Sequence, residues 1–216
     1  VQAFFKSEVA QTILNSDQLA SNDIMGISFW GNGFKHFSNN KQPLVDVADF
    51  KGLKFRAQAG KVLESQFHAL DAGSATIAFG ETYAALQQGT VDGQENTFNN
   101  FDTQKYQEVQ KYLTTTAHGR LDYAIFVNKP FWDSIPEDLL GPVEEALEEA
   151  TVLANELAAE ENAKSFENIK NSGTVEVYEM TQEERDALKE ALQQVYKEFS
   201  EVITTDLIEG IEALKK

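Results

Sequence analysis

Lys51-Gly-Leu-Lys-Phe-Arg56 and Phe79-Gly-Glu-Thr-Tyr-Ala-Ala-Leu-Gln-Gln-Gly-Thr-Val-Asp-Gly-Gln-Glu-Asn96 decide how this chain is read. The first is a short apolar strand, Leu53–Ala57, with an arginine near its end. The second is a helix over Gly80–Gln88 that stops at Gly89, then a Val91-Asp-Gly93 turn, then an amide at the start of the next element. A strand that leads through a glycine into a helix puts its carboxyl end at the crevice where α/β proteins hold ligands. A guanidinium fixed there, facing amides, grips a carboxylate with two parallel hydrogen bonds.

The same alternation extends outward. Residues 1–15 have helical spacing, and Ile24–Trp30 reads as a buried strand. Gly31-Asn-Gly33 gives a turn signal, with Phe34–Ser38 as a further strand. Asp46–Phe50 is one helical turn, Lys61–Leu70 a helix and Ser74–Ala78 a short strand. Asp102–Val109 is helical, and Tyr112–Thr115 and Leu121–Val127 are strands. Pro136–Leu140 forms a separate turn, since Pro142 is uncomfortable inside a helix. A long helix runs from Pro142 to about Asn171 and ends at Gly173. Its expected buried stripe is Val143, Leu147, Ala150, Leu153, Leu157, Ala158 and Phe166. Thr174–Tyr178 is a strand. Thr181-Gln-Glu-Glu184 is a capping-box start for a helix to about Ile203. Short strands alternating with helices predict an α/β fold with largely parallel pairing, and a helix of that length predicts two lobes built from discontinuous chain.

Composition bounds the function. The 216 residues are 42% apolar and carry no cysteine, which excludes disulfides and thiolate metal sites. No apolar run approaches ~20 residues, the length of a membrane-spanning helix. The net charge of −17 is uneven: residues 34–120 hold nine Lys/Arg and nine Asp/Glu, whereas 121–216 carry −15. Nucleic acid is repelled by such a chain, while a small anion can still bind the neutral segment, because screening removes distant charge beyond roughly 8–10 Å. The acidic remainder reads as solvated helix surface. The chain opens in what reads as the middle of a helix, so it is expected to be a mature or truncated product.

Arg56 is the first candidate site residue, against the bland alternative of a surface arginine beside Lys54. Asn96 and Glu95 follow a turn that such residues favour anyway. Lys35, after Gly31-Asn-Gly33, offers a second cation suited to a dianion. Trp30 and Phe79 flank turns and singly are best explained as packing. Glu81 is accounted for by its place in a first helical turn. His36, His68 and His118 show no zinc-binding spacing. No nucleophile elbow, nucleophilic cysteine or dinucleotide-binding glycine motif is present. The catalytic alternative is a carboxylate-processing enzyme using Glu81 or Glu95, which turnover of dicarboxylates without cofactor would reveal.

With these residues in hand, the chain resembles the substrate-binding proteins of tripartite ATP-independent periplasmic (TRAP) transporters, especially those for C4-dicarboxylates. Gly33 through Asn39, Leu44 through Arg56, Phe79 through Gln87 and Val91 through Asn96 carry the resemblance. Thr103 through Leu113, His118-Gly119 and Asn128 through Pro136 extend it over essentially the whole chain. It implies a two-lobed periplasmic-binding-protein-like α/β fold with crossing strands, a long back helix and closure on the ligand. Residues 34–120 would form the second lobe, and 1–33 with 121–216 the remainder of the first, whose N-terminal part is expected to be missing here. In that pattern Arg56 makes the bidentate salt bridge and Asn96, Glu95 and Asn100 line the site. Lys35 stands where the pattern has a basic residue, often arginine, and Phe79 and Trp30 pack on the ligand. Ala75-Thr-Ile-Ala78 departs from the usual proline-containing run. The implied protein is a monomeric extracytoplasmic receptor, not an enzyme and without cofactor or metal. It would deliver a small carboxylate to TRAP membrane subunits; other acids (a monocarboxylate, a sugar acid or sialic acid) are the near alternative.

Overall fold

The computed structural model describes residues 2–214. Val1, part of the expected first helix, lies outside them, as do Lys215 and Lys216. The strands are β1 (Ile24–Asn39), β2 (Lys54–Ala57), β3 (Gly73–Thr76), β4 (Gly93–Asn96), β5 (Tyr112–Asn128) and β6 (Glu176–Tyr178). The helices are α1 (Gln2–Phe5), α2 (Glu8–Leu14), α3 (Asp17–Ala20), α4 (Lys61–Ala69), α5 (Thr82–Gln87), α6 (Phe98–Thr103), α7 (Lys129–Asp133), α8 (Glu137–Ser172), α9 (Gln182–Ala191), α10 (Gln193–Glu198) and α11 (Thr205–Ala213). None of the described helices is long and apolar enough to cross a membrane.

The chain divides into two compact units, one from residues 2–32, 122–159 and 201–214, the other from Gly33–Leu121 and Glu160–Ser200. Both are discontinuous in sequence. The sequence reading had grouped 160–200 with the first lobe. In the structure Met180, Leu188, Leu192 and Val195 from this segment join Phe37, Phe50, Phe55 and Phe67 in one core cluster. Four buried apolar residues outweigh sequence adjacency.

The second unit is organised by its sheet, whose strand order is β3-β2-β4-β1-β5-β6. β2 pairs in parallel with β3 and β4, β5 in parallel with β6, and β1 antiparallel with β4. The phenylalanine cluster forms one core; a second gathers Leu86, Val91, Phe101, Tyr106, Leu113 and Ile169. In the first unit Ala10, Leu14 and Phe29 pack with Phe4, Phe5 and Ile13. There, Ser7 breaks the expected single N-terminal helix by accepting the Ala10 N–H as a cap.

Several boundaries differ from expectation for identifiable reasons. Gly31-Asn-Gly33 is not a turn; β1 runs straight through it. Gly31 N–H donates to Asn155 Oδ1 at 2.6 Å, and a Cβ on Gly33 would lie 2.9 Å from Asn162 Nδ2. Asn155 and Asn162, two helical turns apart on α8, each need close approach to the strand, so small residues there serve packing rather than chain reversal. β5 is likewise one strand instead of two. Ala117 sits in the left-handed region at φ 48° and kinks it without ending it.

α8 begins at Glu137, so Pro136–Leu140 is not a separate turn. Gly141 ahead of Pro142 removes the Cβ clash that disfavours helix before proline. The helix has 36 residues, about 54 Å at 1.5 Å per residue. Leu153 and Leu157 fall off the expected stripe and are 55% and 47% exposed; the less exposed positions follow Val143, Leu147, Ala150, Ala154, Ala158, Ser165 and Ile169 instead. The expected helix at Asp102–Val109 is displaced, because Thr97 caps the Asn100 N–H and starts α6 earlier. Lys105, at φ 57°, then diverts the chain. The Thr181 capping box forms as read, but the helix behind it breaks at Leu192.

Candidate functional site

Arg56 lies on β2 between β3 and β4, opposite Ala75 and Gln94. Asp92 sets that register: its N–H donates to the Lys54 carbonyl at 2.7 Å and its Oδ2 accepts the Lys54 N–H at 2.9 Å. Gly93 allows β4 to close up, since a Cβ there would lie 2.1 Å from the Ser38 carbonyl oxygen. Paired residues share a face of a sheet and neighbours along a strand alternate. Arg56 and Gln94 are paired, and Asn96 pairs with His36. Arg56, Gln94, Asn96 and His36 therefore project from one face, and Lys35, Phe37, Glu95 and Phe55 from the other.

Arg56 is buried, 2% exposed as a whole residue. Its Nε donates to the Ile77 carbonyl at 2.9 Å. Its NH1 is buried and has no hydrogen-bond partner among the described residues. Burial lowers its pKa from the ordinary arginine value, opposed by Tyr106 and Glu95 nearby. A buried cation with no hydrogen-bonded anion is costly, because desolvation is worth several kcal/mol per ion. The group is held in a state that an anion would relieve.

Asn96 stands beside it. Its Oδ1 accepts Asn100 Nδ2 at 2.7 Å and the Thr97 N–H at 3.1 Å. Those two donors fix which end of the amide is oxygen and direct the Nδ2 hydrogens elsewhere. Asn100 is thus tied to Asn96 by a side-chain hydrogen bond. Phe79 is 40% exposed in a 3-10 turn over Phe79–Glu81. Trp30 belongs to the other unit, where its Nε1 donates to Thr151 Oγ1 at 2.9 Å.

Lys35 and Glu95, expected beside the ligand, face away from Arg56 and pair with each other. Lys35 Nζ donates to Glu95 Oε1; Glu95 Oε2 accepts Gln66 Nε2 at 2.9 Å and His118 Nε2 at 2.5 Å. Lys35, Gln66 and Glu95 are each less than a tenth exposed. Burial pushes the Glu95 carboxyl up, but Lys35 and the His118 hydrogen bond outweigh it and hold the group well below the usual carboxylate range. Burial lowers the His118 pKa, which Glu95 opposes and Lys35 reinforces. His118 is therefore neutral, with Nε2–H donating to Glu95 and Nδ1 accepting the Thr116 hydroxyl at 2.7 Å. The charge of Lys35 is neutralised within the unit.

His36, which the sequence reading considered only as a metal ligand, shares the Arg56 face. Its ring stacks on Phe98 with centroids 4.0 Å apart. Its Nδ1 accepts the Ala117 N–H at 3.2 Å, so the proton resides on Nε2. Burial first, then His118 and Arg185, lower its pKa to about 3. Period-two alternation in β1 separates His36 from Lys35, but only the pairing with β4 tells which of them joins Arg56.

A pH dependence follows. The unfolded histidine titrates near 6.5 and His36 only near 3. Between these values the unfolded chain binds more protons, so stability is full above about 6.5 and falls as pH drops toward 3. His118 shifts in the same direction. Urea unfolding between pH 7 and 4 should therefore show proton uptake on unfolding that His36→Asn reduces.

Residues 1–202 match the family model of bacterial extracellular solute-binding protein, family 7, known as DctP. The chain belongs to this family. Family 7 is one of solute-binding proteins, not of enzymes. A C4-dicarboxylate-binding periplasmic protein DctP from Rhodobacter capsulatus is 46% identical over 196 residues, which is 91% of this chain and 59% of that protein. The family 7 chain thus spans about three fifths of that relative. A TRAP periplasmic solute-binding protein from Shewanella oneidensis, solved with succinate, superposes with TM-score 0.93 at 36% identity, over 98% of this chain and 68% of the other. One from Pseudomonas aeruginosa PAO1, solved with L-malate, gives 0.85 at 34% identity, over 91% and 68%.

Proposed function

We propose that this protein is an extracytoplasmic solute receptor that captures a small organic acid, a C4-dicarboxylate in the first instance, and hands it to a TRAP membrane transporter. The observation that carries the reading is the buried Arg56 guanidinium with an unpartnered NH1, on the same sheet face as the Asn96 amide, whose oxygen is held by Asn100 and Thr97. Because Nε is committed to Ile77, the fork left for a carboxylate is the NH1–NH2 end. Asn96 donates to the same ligand group, with Asn100 holding the amide. The succinate and L-malate in the related structures are ligands of the chemistry this fork selects.

A second reading has its own support. Pairing of Lys35 with Glu95 leaves Arg56 as the uncompensated cation of this face. One carboxylate would satisfy it, so a monocarboxylate or sugar acid is the competing ligand. Titrating the full-length protein with succinate and with butyrate, of equal carbon number, separates the two. The dicarboxylate reading expects succinate to bind at least about tenfold tighter, one charge-assisted contact's worth. Equal affinities select the monocarboxylate reading, and binding of neither acid, nor of galacturonate as a sugar acid, overturns both.

A further inference from the structure

Gln94 faces Arg56 across the β2–β4 ladder and is fully buried. A polar chain with forced directions fixes its amide. Gln110 Nε2 donates to the Val109 carbonyl at 3.1 Å and the Asp92 carbonyl at 3.4 Å. Its Oε1 accepts the Ser38 hydroxyl at 2.9 Å. With that hydrogen committed, Ser38 Oγ can only accept, and Gln94 Nε2 donates to it at 2.9 Å. Gln94 Oε1 is then the free end of the chain, buried and without a partner among the described residues. An unpaired buried acceptor and an unpaired buried donor, Arg56 NH1, stand on facing residues of strands roughly 4.8 Å apart. Each such group left without a partner is destabilising, so the two are complementary deficits.

We infer that Gln94 is a positioning residue for Arg56: its Oε1 accepts one NH1 hydrogen while the other NH1 hydrogen, with NH2, meets the ligand carboxylate. Ile77 holds the guanidinium at Nε; when the ligand binds, Gln94 Oε1 would take the NH1 hydrogen that has no partner here, which would fix the plane of the fork. The chain Gln110–Ser38–Gln94 links that plane to β1 and to the loop before β5. This inference rests on the receptor reading above and adds to it which group sets the orientation of the fork.

The test is a double-mutant cycle by calorimetry with succinate on the full-length protein. Gln94→Met keeps length and burial and removes the acceptor; affinity should fall about tenfold. In an Arg56→Lys background, where no planar fork remains to orient, the same change should alter affinity less than about threefold. An equal loss in both backgrounds, or no loss from Gln94→Met, overturns the inference. Gln94→Glu provides a second variant: the new carboxylate should pair with Arg56 internally, raise the melting temperature of the ligand-free protein and weaken succinate by at least about a hundredfold. Unchanged affinity in Gln94→Glu overturns it as well. An Arg56→Lys protein that binds succinate as tightly as the unaltered one is a different result and overturns the planar-fork role of Arg56, whereas an unaltered protein that binds no succinate overturns the dicarboxylate receptor reading itself.

Discussion

Arg56→Ala should weaken succinate binding by one to two orders of magnitude and at the same time stabilise the ligand-free protein. A hydrogen-bonded charge contributes about 1.5–3 kcal/mol net, and the lost bidentate contact falls in that range. The stabilising half of the expectation is the less ordinary one. Truncating a buried residue normally destabilises through the cavity it leaves. Here the removed group is a buried cation with an unpartnered NH1, and relief of its desolvation opposes the cavity term. Arg56→Met, which fills more of the space, should raise the melting temperature more than Arg56→Ala. Arg56→Lys should lose affinity too, since a point charge cannot reproduce the planar fork. Calorimetry with unchanged affinity in Arg56→Ala would refute the role.

The second large effect is on stability. Glu95→Ala removes the shared acceptor of Lys35, Gln66 and His118. It leaves the Lys35 ammonium buried without an anion, and breaking a buried pair by removing one partner costs about 3–5 kcal/mol. That is a large share of the ordinary folding free energy of about 5–15 kcal/mol. Replacing both members, Lys35→Met with Glu95→Leu, should recover much of the loss, because the remaining groups are neutral. Urea unfolding of the single and double variants measures this; a loss below about 1 kcal/mol for Glu95→Ala would contradict the assigned network.

These two predictions concern residues that sequence alone grouped together and that the sheet separates. Lys35 and Glu95 are joined by a pair spanning 60 positions, and no local pattern reports such a contact. Alternation along β1 shows that Lys35 and His36 face opposite ways. Only the registers of β1 on β4 and β4 on β2 show that His36, not Lys35, shares the face of Arg56. What was legible was local. The strand carrying Arg56 reads directly from Leu53–Ala57, and the Thr181–Glu184 capping box forms both reciprocal bonds. The terminators Gly89 and Gly173 adopt φ of 69° and 66°, the left-handed conformation that ends helices at little cost in glycine. Gly31 and Gly33 misled because glycine serves two purposes, reversal and close approach. The partners that decide between them, Asn155 and Asn162, lie more than a hundred residues away on α8.

The family and the fold were accessible from a few specific blocks, whereas the electrostatics of the site were not. Two histidines held neutral, one lysine neutralised and one arginine left uncompensated arise from burial and pairing that the chain acquires only on folding. Net charge argued against a polyanion and left a small anion open in the neutral segment, where the local balance favours one.

The most direct measurement is a crystal structure of the full-length protein with succinate. The account predicts one carboxylate with its two oxygens about 2.7–2.9 Å from Arg56 NH1 and NH2, and Asn96 Nδ2 donating to the same group. Succinate bound with its carboxylates away from Arg56, and the NH1 of that residue still without an anion, would contradict it.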